Sequence, residues 1–334
     1  MSLPYDDATA ARLKGDLLVK SGGSWRYADR VWVKSGGTWR SSENVYVKSG
    51  GAWRDAAQYD VYRFKFTLND NNNGSGNASY NYVVQERKSF GNNTVSGSAN
   101  QASSTFVLSS RLTAISSWSN NIAYGAIYVN STQRYLRIDS LPAGSRVVLY
   151  VNSGKRILGR GGNGGNGSNN NNAGGNGANG QTALYARGSG SGQVLLVNYG
   201  QIAGGGGGGG GGRGGQCVYN QNTQKSCMKG SQCPVTYQNF SQEQGGGGGG
   251  GAGYPGGQGG NGDANGQNGQ SNARGNGGQN QSCNAQRGRH GGNLGQNAQG
   301  GGTAGSPGSR GNAVDGVSYI TYETKGTVNG PEVN

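Results

Sequence analysis

The sequence is poor in the residues from which large enzymes build a core and an active site. Only 31% of its 334 residues are hydrophobic, against roughly 45–50% in ordinary domains, and only one is a histidine. The acidic residues of segment 159–316, which are Glu243, Asp263 and Asp315, form no pair suited to acid–base catalysis. We therefore expect neither an enzyme nor a bound cofactor.

Long hydrophobic runs are also missing. The longest, 147–151 and 194–197, fall far short of the roughly 20 residues that a membrane span needs. The first eleven residues contain no apolar stretch of the kind found in secretory signals. We expect a protein that is made in the cytoplasm without a signal peptide and is not inserted into a membrane.

Proline is scarce, with six residues, whereas glycine is abundant, with 71. Collagen is excluded because it needs abundant proline and a glycine at every third position throughout. The glycines are concentrated: 55 of them lie in residues 159–316. The net charge of +14 is spread along the chain without a run of like charges. It indicates only a mild attraction to polyanions, so nucleic acid is not an expected partner.

A repeat of 14 residues opens the chain, in residues 1–57. It reads VKSGGSWR at 19–26, VKSGGTWR at 33–40 and VKSGGAWR at 47–54. Two short apolar strands around a Gly-Gly turn predict a β-hairpin in each unit. The three tryptophans, each followed by an arginine, form either a stacking platform for nucleic acid or sugar or a cover over their own hairpins: Trp25, Trp39 and Trp53.

Residues 58–158 have the composition of an ordinary β-domain. Tyr62, Phe64, Phe66 and Leu68 alternate with polar residues, which is the pattern of a half-buried strand. Further short strands are separated by clusters of Asn, Gly and Ser. This pattern predicts a small antiparallel β-domain in a chain that is mostly β and irregular.

The glycine-rich region, 159–316, is predicted to be ordered. Apolar strands lead directly into it, and glycine recurs with a partial period of three, separated mainly by Asn, Gln, Ser and Ala. A three-residue period is typical of the polyproline-II helix, whose backbone groups can bond to neighbouring helices where no Cβ intervenes. The uninterrupted runs 204–212 and 245–251 suit central helices, and the other segments suit peripheral ones. We predict a polyglycine-II helical bundle here, followed by a C-terminal strand or tail at 317–334.

Two parts of the sequence resemble proteins of bacteriophage tails. The V-K-x-G-G-x-W-[RK] units resemble repeats of tail-fibre and tail-tip proteins. Residues 159–316, with their poly-Gly runs and Asn/Gly triplets, resemble the receptor-binding adhesins at the tips of T-even-type long tail fibres, which contain a polyglycine-II sandwich. The resemblance implies a virion protein that binds an outer-membrane protein or surface glycan of its host through loops between the helices. It also implies attachment to other tail subunits, for which Trp25, Trp39 and Trp53 are our candidates.

The non-glycine segments of this region carry the candidate receptor-binding residues, because aromatic, amide and basic side chains are common in loop-built binding surfaces. We select Tyr219, Lys225, Lys229, Tyr237, Phe240, Tyr254, Arg287, Arg289 and His290. The oligomeric state is left open between a homotrimer and a monomer carried on a trimeric fibre.

All four cysteines lie in the same region, at 217, 227, 233 and 283. Their spacing matches no common zinc pattern, so no metal is expected. Two disulfides, in any of three pairings, are predicted for Cys217, Cys227, Cys233 and Cys283, with free thiols as the alternative.

Two other functions are compatible with parts of the sequence. The Arg-Gly-Gly triplets at 160–162 and 213–215 occur in RNA-binding glycine-rich proteins. A bundle of polyglycine helices could also bind ice. Two triplets are few for an RNA-binding protein of that class, and disorder does not explain the apolar lead-in strands or the three-residue period. Ice binding does not explain the tryptophan repeats or the aromatic segment 216–244 between the two poly-Gly runs.

Overall fold

The computed structural model describes most of the chain, in ranges separated by short gaps. These are residues 18–21, 24–27, 31–42, 46–49, 52–55, 61–69, 79–88, 91–100, 105–116, 118, 121–169, 172–188, 193–226, 232–279, 284–299 and 305–334. The described residues are mostly β-strand and irregular segments, with one α-helix, α1 (Leu108–Ile115). The predicted fold class is therefore confirmed.

Each 14-residue repeat forms a two-stranded antiparallel hairpin. The pairs are β1 (Leu18–Ser21) with β2 (Ser24–Tyr27), β3 (Val31–Ser35) with β4 (Thr38–Ser42), and β5 (Tyr46–Ser49) with β6 (Ala52–Asp55). In the middle hairpin, Gly36 and Gly37 have φ angles of +59° and +81°. Positive φ at both turn residues is what a two-residue hairpin requires, which explains the Gly-Gly pair.

A seven-stranded sheet contains most of the strands predicted in 58–158. Its strands are β7 (Val61–Asn69), β8 (Ser79–Lys88), β9 (Gly91–Asn100), β11 (Ala123–Val129), β13 (Arg146–Val151), β16 (Val194–Asn198) and β21 (Ile320–Thr324). They lie in the order β21-β16-β13-β11-β7-β8-β9. Only β7, β8 and β9 pair antiparallel; the other pairs are parallel.

A second sheet contains eight strands. They are β10 (Thr105–Val107), β12 (Gln133–Leu141), β14 (Arg156–Leu158), β15 (Leu184–Gly188), β17 (Gln201–Ala203), β20 (Val314–Asp315), β22 (Thr327–Asn329) and β23 (Glu332–Val333). The order is β22-β17-β14-β12-β15-β20-β23, with β10 also on β12, and every pair is parallel.

The antiparallel pairing predicted for 58–158 is therefore wrong for most strands. The chain alternates between the two sheets, through β11–β12, β13–β14, β16–β17 and β21–β22, so that successive strands of one sheet point the same way. Parallel neighbours need long crossover connections, and here the other sheet and the glycine-rich segments provide them. The boundary predicted at residue 158 consequently does not separate the strands, since both sheets take strands from either side of it.

An apolar core lies between the sheets. Phe66 and Ile127 of the first sheet and Leu136 and Leu184 of the second belong to one buried cluster, which Leu112 of α1 also joins. The alternation predicted for β7 is confirmed, because its four apolar side chains are buried and the residues between them are half-buried.

The glycine-rich segments form a lattice of backbone hydrogen bonds beside the sheets. The run 245–251 is buried and bonds to six other segments. The N–H groups of this run and of residues 252 and 253 donate to segments 162–168, 264–270 and 286–292. The carbonyl oxygens of the run accept from segments 209–212, 257–263 and 275–278. Each neighbour is met at every third residue: Gly245, Gly248 and Gly251, for example, donate to Ser168, Gly165 and Gly162. The run 204–212 is surrounded in the same way.

This packing leaves no room for side chains at the inner positions. A Cβ on Gly248 would lie 2.0 Å from the carbonyl oxygen of Gly209, and one on Gly208 would lie 1.9 Å from that of Asn163. Both contacts are far inside van der Waals distance and involve backbone atoms. Glycine is therefore required by the close approach of neighbouring chains.

Asparagine side chains complete the lattice at its surface. The Oδ1 atoms of Asn176 and Asn179 accept hydrogen bonds of 2.8 Å from the N–H groups of Ser306 and Ser309. Asn163 and Asn166 do the same for another pair of segments. The asparagines thus replace a backbone acceptor where no further segment is present, which accounts for their frequency among the spacer residues.

Candidate binding surface

The glycine-rich segments run between two ends. At the strand end they leave or enter the sheets; Gly159, for example, follows β14 directly. At the hairpin end, the run 204–212 leads into a two-stranded hairpin of β18 (Gly215–Ser226) and β19 (Gln232–Glu243). From there the run 245–251 returns, with Gly245 N–H bonded to the oxygen of Ser168 at 2.9 Å.

The hairpin contains four of the nine predicted receptor-binding residues. Tyr219 and Lys225 lie on β18, and Tyr237 and Phe240 lie on β19. The register pairs Val218 with Phe240 and Gln221 with Tyr237. Lys229 lies outside the described residues. The fold therefore brings these four positions into one antiparallel ribbon at the hairpin end.

The same register limits the cysteine pairing. Cys217 is opposite Ser241, and Cys233 is opposite Lys225, so the two cysteines are eight positions apart along the ladder (241 − 233). At the rise of a β-strand, eight positions place the two Cα atoms much farther apart than the about 7 Å that a disulfide can span. Cys227 and Cys283 lie outside the described residues, so the predicted disulfides stay a prediction with two pairings left.

Tyr254 lies at the opposite end from the hairpin. Its N–H donates to the oxygen of Gly159 at 3.0 Å, next to the end of β14. Its side chain is half-buried. The structure thus separates Tyr254 from the residues of the hairpin by the length of the glycine-rich segments.

Arg287, Arg289 and His290 lie on the segment that follows residue 284, near the hairpin end. At the start of this segment, the N–H of Gln286 donates to the oxygen of Arg213 at 2.8 Å, and Arg213 lies two residues before β18. Arg287 is exposed, whereas Arg289 and His290 are half-buried. Burial lowers the pKa of both, and Arg287 lowers them further; Arg274 adds to the effect on His290.

Two surface clusters on the sheets were not selected from the sequence. The rings of Tyr128 and Tyr150 are stacked with centroids 4.8 Å apart, and Lys65 lies 5.2 Å from the ring centre of Tyr128. On the other sheet, the guanidinium groups of Arg137 and Arg187 lie 4.9 and 5.4 Å from the ring centre of Tyr185. The tyrosines of β11 and β13 were visible in the sequence, but strand register was needed to pair Tyr128 with Tyr150.

Among the residues that the structure describes, no three His, Cys, Asp or Glu side chains are grouped to hold a metal ion. The helix found there is too short to cross a membrane. The tryptophans of the repeats occupy equivalent places, each opposite the lysine of its own unit: Trp25 with Lys20, Trp39 with Lys34 and Trp53 with Lys48.

Comparison with known proteins finds one family. The family model for phage tail fibre adhesin Gp38 matches residues 63–333, which is 271 of the 334 residues. The match includes both sheets, the glycine-rich segments and the β18–β19 hairpin, and it begins after the tryptophan repeats. No curated protein and no solved structure is significantly similar to the chain.

Proposed function

The chain belongs to the phage tail fibre adhesin Gp38 family, and we propose that it recognises its host through the hairpin end of its glycine-rich segments. An adhesin of a tail fibre binds a receptor on the host surface and is attached to the phage tail. The receptor that we propose is an outer-membrane protein or a surface glycan, bound without catalysis. The observation that carries the proposal is the β18–β19 ribbon, with 12 residues in each strand, at the end farthest from the sheets.

The glycine-rich segments act in this proposal as a polyglycine-II scaffold. Hydrogen bonds at every third residue fit a helix with three residues per turn, and buried glycines fit its close packing. A scaffold of this kind holds the hairpin at a fixed distance from the sheets. Binding then loses less conformational entropy than it would with a flexible loop.

The RNA-binding alternative is less well supported. In the two Arg-Gly-Gly triplets, 160–162 and 213–215, the glycines are buried and the arginines are half-buried. Gly162 also donates a hydrogen bond of 2.8 Å to Gly206. Arg-Gly-Gly segments that bind RNA along a groove need accessible backbone and side chains.

The tryptophan repeats are proposed to attach the adhesin to the rest of the tail. They precede the range that matches the family, and their three hairpins present the same Trp–Lys register three times. A repeated surface suits a partner with repeated binding sites. Replacing Trp25, Trp39 and Trp53 with alanine is expected to prevent incorporation into particles while leaving cell binding of the free protein intact.

Competition with phage adsorption tests the role of the hairpin. In the variant, an Asn-Gly turn replaces residues 219–239, so that Val218 and Phe240, which are paired across the ladder, close a shorter hairpin. The purified variant is expected to lose at least tenfold in its ability to block adsorption to host cells. Resistance of the glycine-rich segments to protease reports that the scaffold is intact.

The matched control changes the other end of the scaffold. Tyr254→Ala removes a half-buried aromatic side chain at the strand end and is expected to block adsorption as well as the parent protein does. If the short-hairpin variant competes fully and Tyr254→Ala does not, the receptor site is at the strand end. If neither the parent nor either variant binds host cells, the proposed function itself is wrong.

A further inference from the structure

A group of basic side chains lies along the lattice, on two neighbouring glycine-rich segments. It consists of Arg287, Arg289 and His290 on one segment and Arg274 on the neighbouring one. Three hydrogen bonds fix the two segments side by side and antiparallel: Gly291 N–H to the oxygen of Gly275 at 3.0 Å, Gly277 N–H to Nδ1 of His290 at 3.1 Å, and Gly288 N–H to the oxygen of Gly278 at 2.9 Å. The fold thus brings Arg274 to the segment that carries the other three.

Arg287 and His290 occupy the same side of their segment. Its backbone meets a given neighbour at every third residue, as shown by Gln286, Arg289 and Gly292, which accept hydrogen bonds in turn from residues 246, 249 and 252. Residues three apart therefore point in the same direction. Arg287 and His290 are related by this spacing, and Arg289 is displaced from it by one residue.

The imidazole of His290 carries one hydrogen-bond donor when it is neutral. Its Nδ1 accepts from the N–H of Gly277, so the proton of the neutral ring is on Nε2. Burial, together with Arg274 and Arg287, lowers the pKa of His290, which keeps the ring neutral at pH 7. The half-buried ring consequently carries one N–H, at Nε2, and Arg274 and Arg287 are the charged groups that act on it.

The buried Nε of Arg289 has no hydrogen-bond partner among the described residues. A buried donor without an acceptor is costly, and a bound ion or water that accepts from this atom would remove the cost. The charged groups that act on Arg289 and His290 are all arginines. The cluster therefore offers several donors and positive charge to a ligand that supplies acceptors and negative charge.

We propose that Arg274, Arg287, Arg289 and His290 form a binding site for a phosphate monoester. A phosphate group presents three acceptor oxygens, and arginine forks match them bidentately. The inference deepens the proposed function and rests on it only for the source of the ligand, which we take to be a phosphorylated sugar of the host surface. Free phosphate has the same chemistry, and the experiment separates the two sources.

The single histidine of the chain makes the site directly observable. With ¹³C-labelled histidine, the full-length protein gives one set of imidazole signals, which is followed while glucosamine 6-phosphate is added. Saturable shifts are expected, together with a rise of about 1 in the pKa of His290, because a nearby negative charge favours the imidazolium. Glucosamine, inorganic phosphate and sulfate are titrated separately; tighter binding of the sugar phosphate than of inorganic phosphate identifies the glycan as the source.

Substitutions then locate the site. Arg274→Gln combined with Arg287→Gln is expected to weaken the binding of glucosamine 6-phosphate about tenfold or more, since charged hydrogen bonds are lost. Arg310→Gln is the matched control, because Arg310 is an exposed arginine of the lattice outside the cluster. Absence of saturable shifts, or equal weakening in both variants, overturns the proposal.

Cell binding distinguishes failure of this site from failure of the proposed function. If the parent protein binds host cells but no phosphate ester, the site is refuted and the adhesin function stands. If phosphate ester binds and host cells do not, the site stands and the proposed function fails. Equal affinity for sulfate, inorganic phosphate and glucosamine 6-phosphate shows an adventitious ion only and also overturns the proposal.

Discussion

Two kinds of interior meet in this protein, and they set opposite requirements for side chains. Between the sheets, large side chains such as Phe66 and Phe106 fill the interior, with ring centroids 5.2 Å apart. In the lattice, the interior is backbone, and residues such as Gly248 are buried without any side chain. The sheets are stabilised by apolar burial, whereas the lattice is ordered by hydrogen bonds between closely packed chains.

The difference shows which substitutions each region tolerates. An apolar core accepts other apolar side chains of similar volume at a cost of less than about 1.5 kcal/mol. At its closely packed glycines the lattice accepts no side chain, because the neighbouring atoms are backbone atoms that other hydrogen bonds hold in place. The sequence is therefore constrained to glycine at positions such as Gly208 and Gly248, where a Cβ would meet backbone atoms.

Gly248→Ala is expected to have the largest effect. Its Cβ would lie 2.0 Å from the oxygen of Gly209, so at least one segment must move and break its bonds. We expect a loss of roughly 5 kcal/mol or more in the free energy of unfolding of the lattice, in the range reserved for severe core defects. Amide hydrogen exchange of residues 204–212 and 245–251, measured by mass spectrometry, should increase while that of β11 and β13 changes less.

The control for this variant is Gln258→Ala. Gln258 is an exposed residue of the segment that bonds to Gly248 through Gly260. We expect a change within about 0.5 kcal/mol, because surface substitutions seldom do more. Unchanged exchange in Gly248→Ala would contradict the account of the lattice as a backbone core.

Phe66→Ala tests the other interior. Phe66 is fully buried and contacts the rings of Phe64, Tyr80 and Phe106. Removing its ring is expected to cost roughly 3–5 kcal/mol, from lost apolar burial and the cavity left behind. Hydrogen exchange should rise first in β7 and β11, and Phe66→Leu should recover most of the lost stability. An equal loss of stability in Phe66→Ala and Phe66→Leu would show that the shape of the side chain, rather than apolar burial, determines the stability.

Asn176→Ala combined with Asn179→Ala tests the edge of the lattice. Each change leaves a backbone N–H, of Ser306 or Ser309, without its Asn acceptor. Because these groups are exposed to water, we expect about 0.5–1.5 kcal/mol per bond rather than the cost of a buried orphan. Faster amide exchange of Ser306 and Ser309, without a change at Gly208, supports this; a global change would show that the asparagines hold the interior.

The sequence allowed several of these features to be predicted, because each leaves a local pattern. Period-two alternation identified β7, and the Gly-Gly pair identified the turn at Gly36 and Gly37. The uninterrupted runs 204–212 and 245–251 indicated positions where no side chain fits. Positions at which the backbone permits only glycine can therefore be recognised in the sequence.

The hydrogen-bond partners of each glycine-rich segment could not be predicted, because bonds between backbone atoms do not depend on which side chains are present. The parallel pairing of β11 with β13 was hidden because β12 of the other sheet lies between them in the chain, and that of β13 with β16 because a whole glycine-rich segment separates them. The position of Tyr254 was hidden as well, since the number of times the chain reverses decides which turns share an end. The residue types indicated candidate binding residues, but only the topology shows which of them lie at the same end of the glycine-rich segments.

Acid is expected to affect the sheets before the lattice, with the smallest effect of those considered. Near the C-terminus, Lys325 lies 2.7 Å from Glu332, and the hydroxyl of Tyr322 donates to Glu332 at 2.6 Å. Burial acts to raise the pKa of Glu332, but the bonds from Lys325 and Tyr322 outweigh it, so the pKa lies below its ordinary value of 4.5. A lowered carboxyl pKa stabilises the fold at pH values above 4.5, and this contribution is lost as the pH falls through the folded-state value. Amide exchange in β21–β23, corrected for its intrinsic pH dependence, should therefore rise below pH 4.5, and this rise should be absent in Glu332→Gln. Gly248, in the uncharged run 245–251, should stay protected. Loss of protection at Gly248 at the same pH would mean that the two interiors unfold together.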